Sequence, residues 1–363
     1  MASSRMMYRG ATLGSLIAAL SAIVTGRAEA HVKWFCGAVD VTAPPLDLHG
    51  VLSPTLLVVG IGSLSLVSAG SAVDAAIERR WPGALWRNQH PEIIEELLVR
   101  VGVGLFLVML WLNAGVAPWG TPRDRAILTP ELLDNASWLG WLQLATAAML
   151  LFRPSVPIAA LGLAIVYAVG IGRYGIFHMV DYAFFVGLAL YLALSGPYFD
   201  RRPVLQRWRV PILTATVAFS LMWTGVEKLL YPQWAGAVLS AHPIVTMGFP
   251  ASFVIVAAAF VEISVAFYLL VGRTLLSVNA AIVILVLLAA VPEFGVLDTV
   301  GHLPLVSALL VVVLHGPTPL QRVAYPPRAA PVVVAAWTGG LYVLAFAMIM
   351  AMYYALQQTA TSA

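Results

Sequence analysis

The stretch Val210–Trp234, "VPILTATVAFSLMWTGVEKLLYPQW", decides the class of fold. Arg201, Arg202, Arg207 and Arg209 stand just before it, and no charge appears again until Glu227 and Lys228. A helix needs about 20 apolar residues to cross the hydrocarbon of a bilayer. The run 211–230 has that length, and Tyr231 and Trp234 follow it as aromatics suited to a membrane interface. A basic start, an apolar middle and an aromatic finish describe a crossing from the arginine-bearing side to the other. Glu227 and Lys228 then sit at its far end, either as a snorkelling interfacial pair or as functional groups.

The rest of the chain repeats the pattern. Hydrophobic residues make up 61% of it, charged residues only 10%, and the mean hydropathy is +0.89. A soluble domain cannot hide so much apolar surface, so the chain reads as a polytopic membrane protein whose first partner is the lipid bilayer. The net charge of +3 is spread over short loops with no basic stripe, which excludes nucleic acid as a partner. A single cysteine excludes an internal disulfide framework and a metal site made of cysteines alone. Apolar runs predict spans near 53–76, 97–117, 137–153, 156–172, 177–195, 211–230, 251–271, 274–291, 299–315 and 331–355. Prolines 154, 197, 211, 250, 292 and 317 fall near their ends, where helices tolerate them.

Residues 1–30 carry the parts of a secretory signal: Arg5 and Arg9, the apolar "ATLGSLIAALSAIVTG", then Ala28-Glu29-Ala30. Two readings stay open, cleavage before His31 or an uncleaved first helix. With residues 31–52 taken as an external segment, the inward loops hold Arg79, Arg80, Arg87, Arg153, Arg201, Arg202, Arg207, Arg209, Arg273, Arg322 and Arg328. The outward loops hold only Arg123, Arg125 and Arg173. The positive-inside rule therefore predicts a multi-pass protein of the bacterial inner membrane with its mature N-terminus in the periplasm.

Two segments echo each other. "YGIFHMVDYAFFVGLAL" from Tyr174 and "FGVLDTVGHLPLVSALL" from Phe294 share an aromatic-Gly-apolar-apolar-polar opening, and three spans precede each. The expectation is an all-α protein of about ten transmembrane helices, arranged as two parallel four-helix bundles, 97–196 and 211–316. The helix and loop of 53–96 flank them on one side and the helix 331–355 on the other.

Ionisable groups in lipid are costly and normally face protein or water. His178 with Asp181, and Asp298 with His302, fall at helical spacing near the predicted external ends of their spans. Each pair reads either as a cap with an orienting hydrogen bond or as an acid–base site. Glu262, in the middle of "AAAFVEISVAF", must pair with Lys228 or Arg273, stay protonated, or line a cavity. Asp74, Arg100 and Arg273 read as topological charges near inward helix ends. The catalytic candidates are His178, Asp181, Asp298, His302, Glu227 and Lys228; Glu262, Glu293 and Trp34 are candidates for holding a cofactor. No phosphate-binding loop, dinucleotide turn, His-Glu-x-x-His or Cys-x-x-Cys motif occurs.

From "RWRVPILTATVAFSLMWTGVEKLLYPQWAGAVL" to "EFGVLDTVGHLP", residues 211–316 resemble the four-helix unit of DoxX-like membrane proteins. The resemblance rests on Gly225-Val226-Glu227-Lys228-Leu229 and extends weakly to 97–196 through Arg100 and Gly104. It implies a link to quinone-reactive or sulfur-oxidising membrane systems, with other membrane or periplasmic redox subunits as partners. Three functions follow. One is a quinone-linked redox component whose site lies at the external face. Another is copper handling through His31, Cys36 and His49, helped by Asp40 and Asp47, if cleavage exposes His31. The third is a carrier or scaffold using Glu262. Trp34 and Phe35 would lay the N-terminal segment over the external site as a lid.

Overall fold

The computed structural model describes residues 44–81, 92–113, 137–289, 291–294, 296–324 and 329–361, and among them helices are the only regular structure. The principal elements are α1 (Pro54–Arg80), α2 (Glu92–Asn113), α3 (Ser137–Met149), α4 (Val156–Met179), α5 (Phe184–Ser195) and α6 (Arg209–Leu230). They continue as α7 (Pro232–Ala241), α8 (Ala251–Val271), α9 (Leu276–Ala289), α10 (Val296–His315) and α11 (Pro331–Thr361). Within the described residues, each predicted apolar run falls largely on helix; residues 114–117 lie outside the described residues. Six segments are long and apolar enough to cross a membrane: Pro54–Arg80, Arg153–Tyr182, Pro203–Leu230, Ala251–Val271, Leu276–Glu293 and Pro331–Gln358. Phe184–Ser195 and Val300–His315 are shorter apolar helices.

The predicted boundary between 156–172 and 177–195 coincides with a break at Gly175, where φ is +82° and ψ 162°, although the helical assignment of α4 runs across it to Met179. A side chain at that φ would be strained, so glycine there lets the helix turn and resume. A 3₁₀ turn, Val180–Tyr182, follows before α5 begins. His178 therefore stands past the break, just before the 3₁₀ turn that leads into α5. At 12 residues, α5 is only about 18 Å long.

The helices pack in two closed circuits. In the first, α2, α3, α4 and α5 touch in succession and α5 returns to α2; in the second, α6, α8, α9 and α10 do the same. The circuits share a seam in which α2 runs along α10 and α5 along α6. The first helix of each circuit thus lies on the last helix of the other. One apolar core, including Phe106, Phe185, Leu213 and Leu309, runs through the first circuit and the seam. A second, including Trp223, Phe260, Phe267 and Tyr353, joins α6 and α8 to the outer pair α1 and α11. Lipid is as apolar as leucine, so close packing and hydroxyl hydrogen bonds hold such helices together. Ser63 of α1, Ser264 of α8 and Tyr342 of α11 supply a hydroxyl triad, with Tyr342 at 2.9 Å from Ser63 and 3.1 Å from Ser264.

Ion pairs fix which helix ends lie together. Arg209, at the start of α6, bonds Glu92 (3.0 Å) and Glu95 (3.3 Å), at the start of α2. His315, at the end of α10, also bonds Glu95 (3.1 Å). Arg153, between α3 and α4, bonds Glu96 (3.3 Å) and Asp200 (2.9 Å), which follows α5. α2 and α6 therefore start at the same end, the basic end of the molecule.

Asp74, Arg100 and Arg273 are more than topological markers. All three are buried. Arg100 bonds Glu96 (3.2 Å) and the Leu150 carbonyl (2.6 Å). Asp74 of α1 accepts from the backbone N–H groups of Arg273 (2.7 Å) and Leu275 (3.0 Å) and from the Tyr268 hydroxyl (3.1 Å). It caps the start of α9 from another helix, since those N–H groups have no partner within α9.

Candidate functional site

The opposite end of the molecule holds a cavity of about 120 Å³ between α6, α8, α9, α10 and the turn into α5. That is somewhat below the roughly 150 Å³ of an apolar protein cavity that holds benzene, so the space is on the scale of a single six-membered ring. Phe184, Leu221, Leu287 and Leu305 supply apolar walls, and Asp181, Ser220, Thr224, Glu227, Lys228, Glu262 and His302 supply polar groups.

Helical spacing explains the contribution of α6. Ser220, Thr224, Glu227 and Lys228 stand three or four apart and share a face. Gly225 lets α6 approach α8, because a Cβ there would stand 2.6 Å from Ile263 Cγ1 and 2.9 Å from the Ala259 carbonyl. This close crossing brings Lys228 Nζ to 2.7 Å from Glu262 Oε2. Of the fates open to Glu262, the structure selects pairing with Lys228 at the edge of a cavity. The Thr224 hydroxyl reaches the same oxygen at 3.4 Å. Ser220 accepts the Phe184 N–H at 2.9 Å, serving one of the donors that the first turn of α5 leaves over.

Two further elements support the site. Tyr353 of α11 is fully buried and donates its hydroxyl to Glu227 at 3.0 Å. Its ring packs 4.6 Å from that of Trp223 and 5.1 Å from that of Phe177. Residues 44–52 lie at the same end: Leu46 N–H donates to the Leu230 carbonyl (2.9 Å) and the Tyr354 hydroxyl to the Leu46 carbonyl (2.6 Å).

The structure brings together Asp181, Glu227, Lys228, Glu262 and His302 from the sequence candidates. His178 does not line the cavity; it is buried, with its ring 5.5 Å from that of Tyr174. Glu293 bonds His242 Nδ1 at 2.7 Å and does not line the cavity. Position 298 is in the first turn of α10, but the Asp298 side chain lies outside the described residues. So do His31, Trp34 and Cys36. His49 is exposed on the short helix Leu48–Val51. Among the described residues, no group of three or more His, Cys, Asp or Glu is placed to hold a metal ion.

Sequence reasoning passed over Thr224 and Tyr353. Thr224 carried a signal, its four-residue spacing from Lys228, whereas Tyr353 lies 126 positions from Glu227 and carried none. The cavity faces three carboxyl groups, one ammonium and one imidazole. Such a set can bond a polar head group and accept protons from it.

Compared with protein-family models, curated proteins and solved structures, the chain matches none.

Proposed function

We propose that this chain is a quinone-linked redox component of the bacterial inner membrane, binding a quinone head group at its periplasmic end. In this reading the two circuits are parallel DoxX-like four-helix bundles. With α1 and α11 they make about ten crossings, and the arginine-bearing end faces the cytoplasm. The observation that carries it is a ring-sized, apolar-walled cavity in which Lys228–Glu262, Asp181, Glu227 and His302 meet. A quinone head needs a flat apolar slot and hydrogen-bond donors for its two oxygens. Thr224, Lys228 and His302 are groups of that kind. Oxidation of a quinol releases two protons and two electrons. The carboxylates and His302 accept the two protons, and two one-electron carriers among the partner subunits, or one carrier in two successive transfers, take the two electrons.

Quinone extracted from protein purified in native lipid, and titration of a short-tailed quinone in nanodiscs, test this. We expect bound quinone in the wild type and at least about a tenfold loss of affinity in His302→Ala, equal to about 1.4 kcal/mol. A folded wild-type protein that retains no quinone and binds none at saturating concentration refutes it.

A further inference from the structure

Glu262 poses a problem that its pairing with Lys228 does not fully solve. It lies half-way along α8, about 16 Å from the helix start, yet its side chain remains 32% exposed. A carboxylate turned to hydrocarbon at that depth is costly. The neighbouring contacts show where the exposure arises. α8 lies against α6 along most of its length but meets α9 over a much shorter stretch. Leu287 of α9, half-buried, lines the same cavity as Glu262. Its neighbours Leu285, Val286 and Leu288 are exposed, as is Val261 beside Glu262.

The end of the same circuit is crossed by a strap. His242, in the connection from α7 to α8, bonds Glu293, in the short helix Val291–Phe294 between α9 and α10. Since α6 and α8 are joined on one side of that end and α9 and α10 on the other, this bond spans the mouth from side to side. The connection is also apolar at its tip, with Ile244, Met247 and Phe249 exposed. Such a tip settles into the lipid interface and does not leave an open aqueous funnel.

We infer that the cavity is served from within the bilayer, through a lateral portal between α8 and α9 bounded by Glu262 and Leu287. The His242–Glu293 strap bars the end-on route from water. The ligand class is an amphiphile whose polar ring docks at Lys228–Glu262 while an apolar tail stays in lipid. The polar head then covers the Glu262 carboxylate at the opening. This inference rests on the quinone reading of the cavity and adds its direction of access.

The test measures association rates in nanodiscs for a decyl-tailed benzoquinone and its tail-free counterpart, each corrected for partitioning into lipid. In the wild type we expect the tailed compound to associate at least tenfold faster. Glu293→Ala, which removes the strap, should raise the tail-free rate at least fivefold and leave the tailed rate unchanged. Leu287→Trp, which narrows the portal, should slow the tailed compound; should it fail to fold, the Glu293→Ala comparison still decides. Equal rates in the wild type, with no response to Glu293→Ala, overturn the portal alone. Binding of neither compound removes the quinone reading and the portal with it.

Discussion

Removing the Lys228 ammonium while leaving Glu262 in place is the sharpest perturbation of the site. Lys228→Met keeps a long apolar stem and loses a 2.7 Å charge-assisted bond. Breaking a fully buried ion pair costs about 3–5 kcal/mol, mostly from the charge left behind. Here the remaining charge is partly exposed and Thr224 still reaches it at 3.4 Å, so about 2–3 kcal/mol is expected. Glu262→Gln alone leaves the ammonium with a neutral partner and should cost about 1–2 kcal/mol. In the double variant no uncompensated charge remains. Its cost should fall below the sum of the single costs by at least about 1.5 kcal/mol. Reversible unfolding of the four proteins in mixed micelles, followed by circular dichroism, measures that difference. Additive single costs refute the reasoning.

Three other expectations concern different parts of the molecule. Tyr353→Phe removes the hydroxyl that bonds Glu227 at 3.0 Å and should cost about 1.5–3 kcal/mol in the same unfolding assay. Arg209→Met strips Glu95 and Glu92 of a shared partner at the basic end and should cost about 3–5 kcal/mol, read as loss of folded, monodisperse protein on size exclusion. Gly225→Val forces α6 away from Ile263 and the Ala259 carbonyl; quinone binding should fall well before helix content does, measured by titration alongside far-ultraviolet circular dichroism.

The apolar runs and the one-sided arginines made the helices and their common ends legible, because both are local signals. The Lys228–Glu262 pair was legible in part: a mid-span glutamate demands a partner, and the chain has few cations to offer. The break at Gly175 was legible as a boundary, since the spans 156–172 and 177–195 fall on either side of it. That Asp181 lines the cavity and His178 does not was hidden, because which side of a helix meets a cavity depends on its neighbours. The cluster at the basic end was also hidden. Glu95 and Glu96 meet Arg153, Arg209 and His315 across 57 to 220 positions, and nothing local in "PEIIEELLVR" says that both carboxylates are buried. Charge near a predicted loop looks like solvent exposure until the packing of five helices removes the water.

The crossed seam sets how this chain can be divided. Because α2 rests on α10, α5 on α6 and α1 on α11, cutting the connection between α5 and α6 yields two halves that keep extensive contacts with each other. Each half alone would show lipid a face shaped for protein. The linker around Pro197–Gln206 serves as a tether holding two mutually dependent halves at high local concentration, and co-expressed halves have the surfaces to find each other without it.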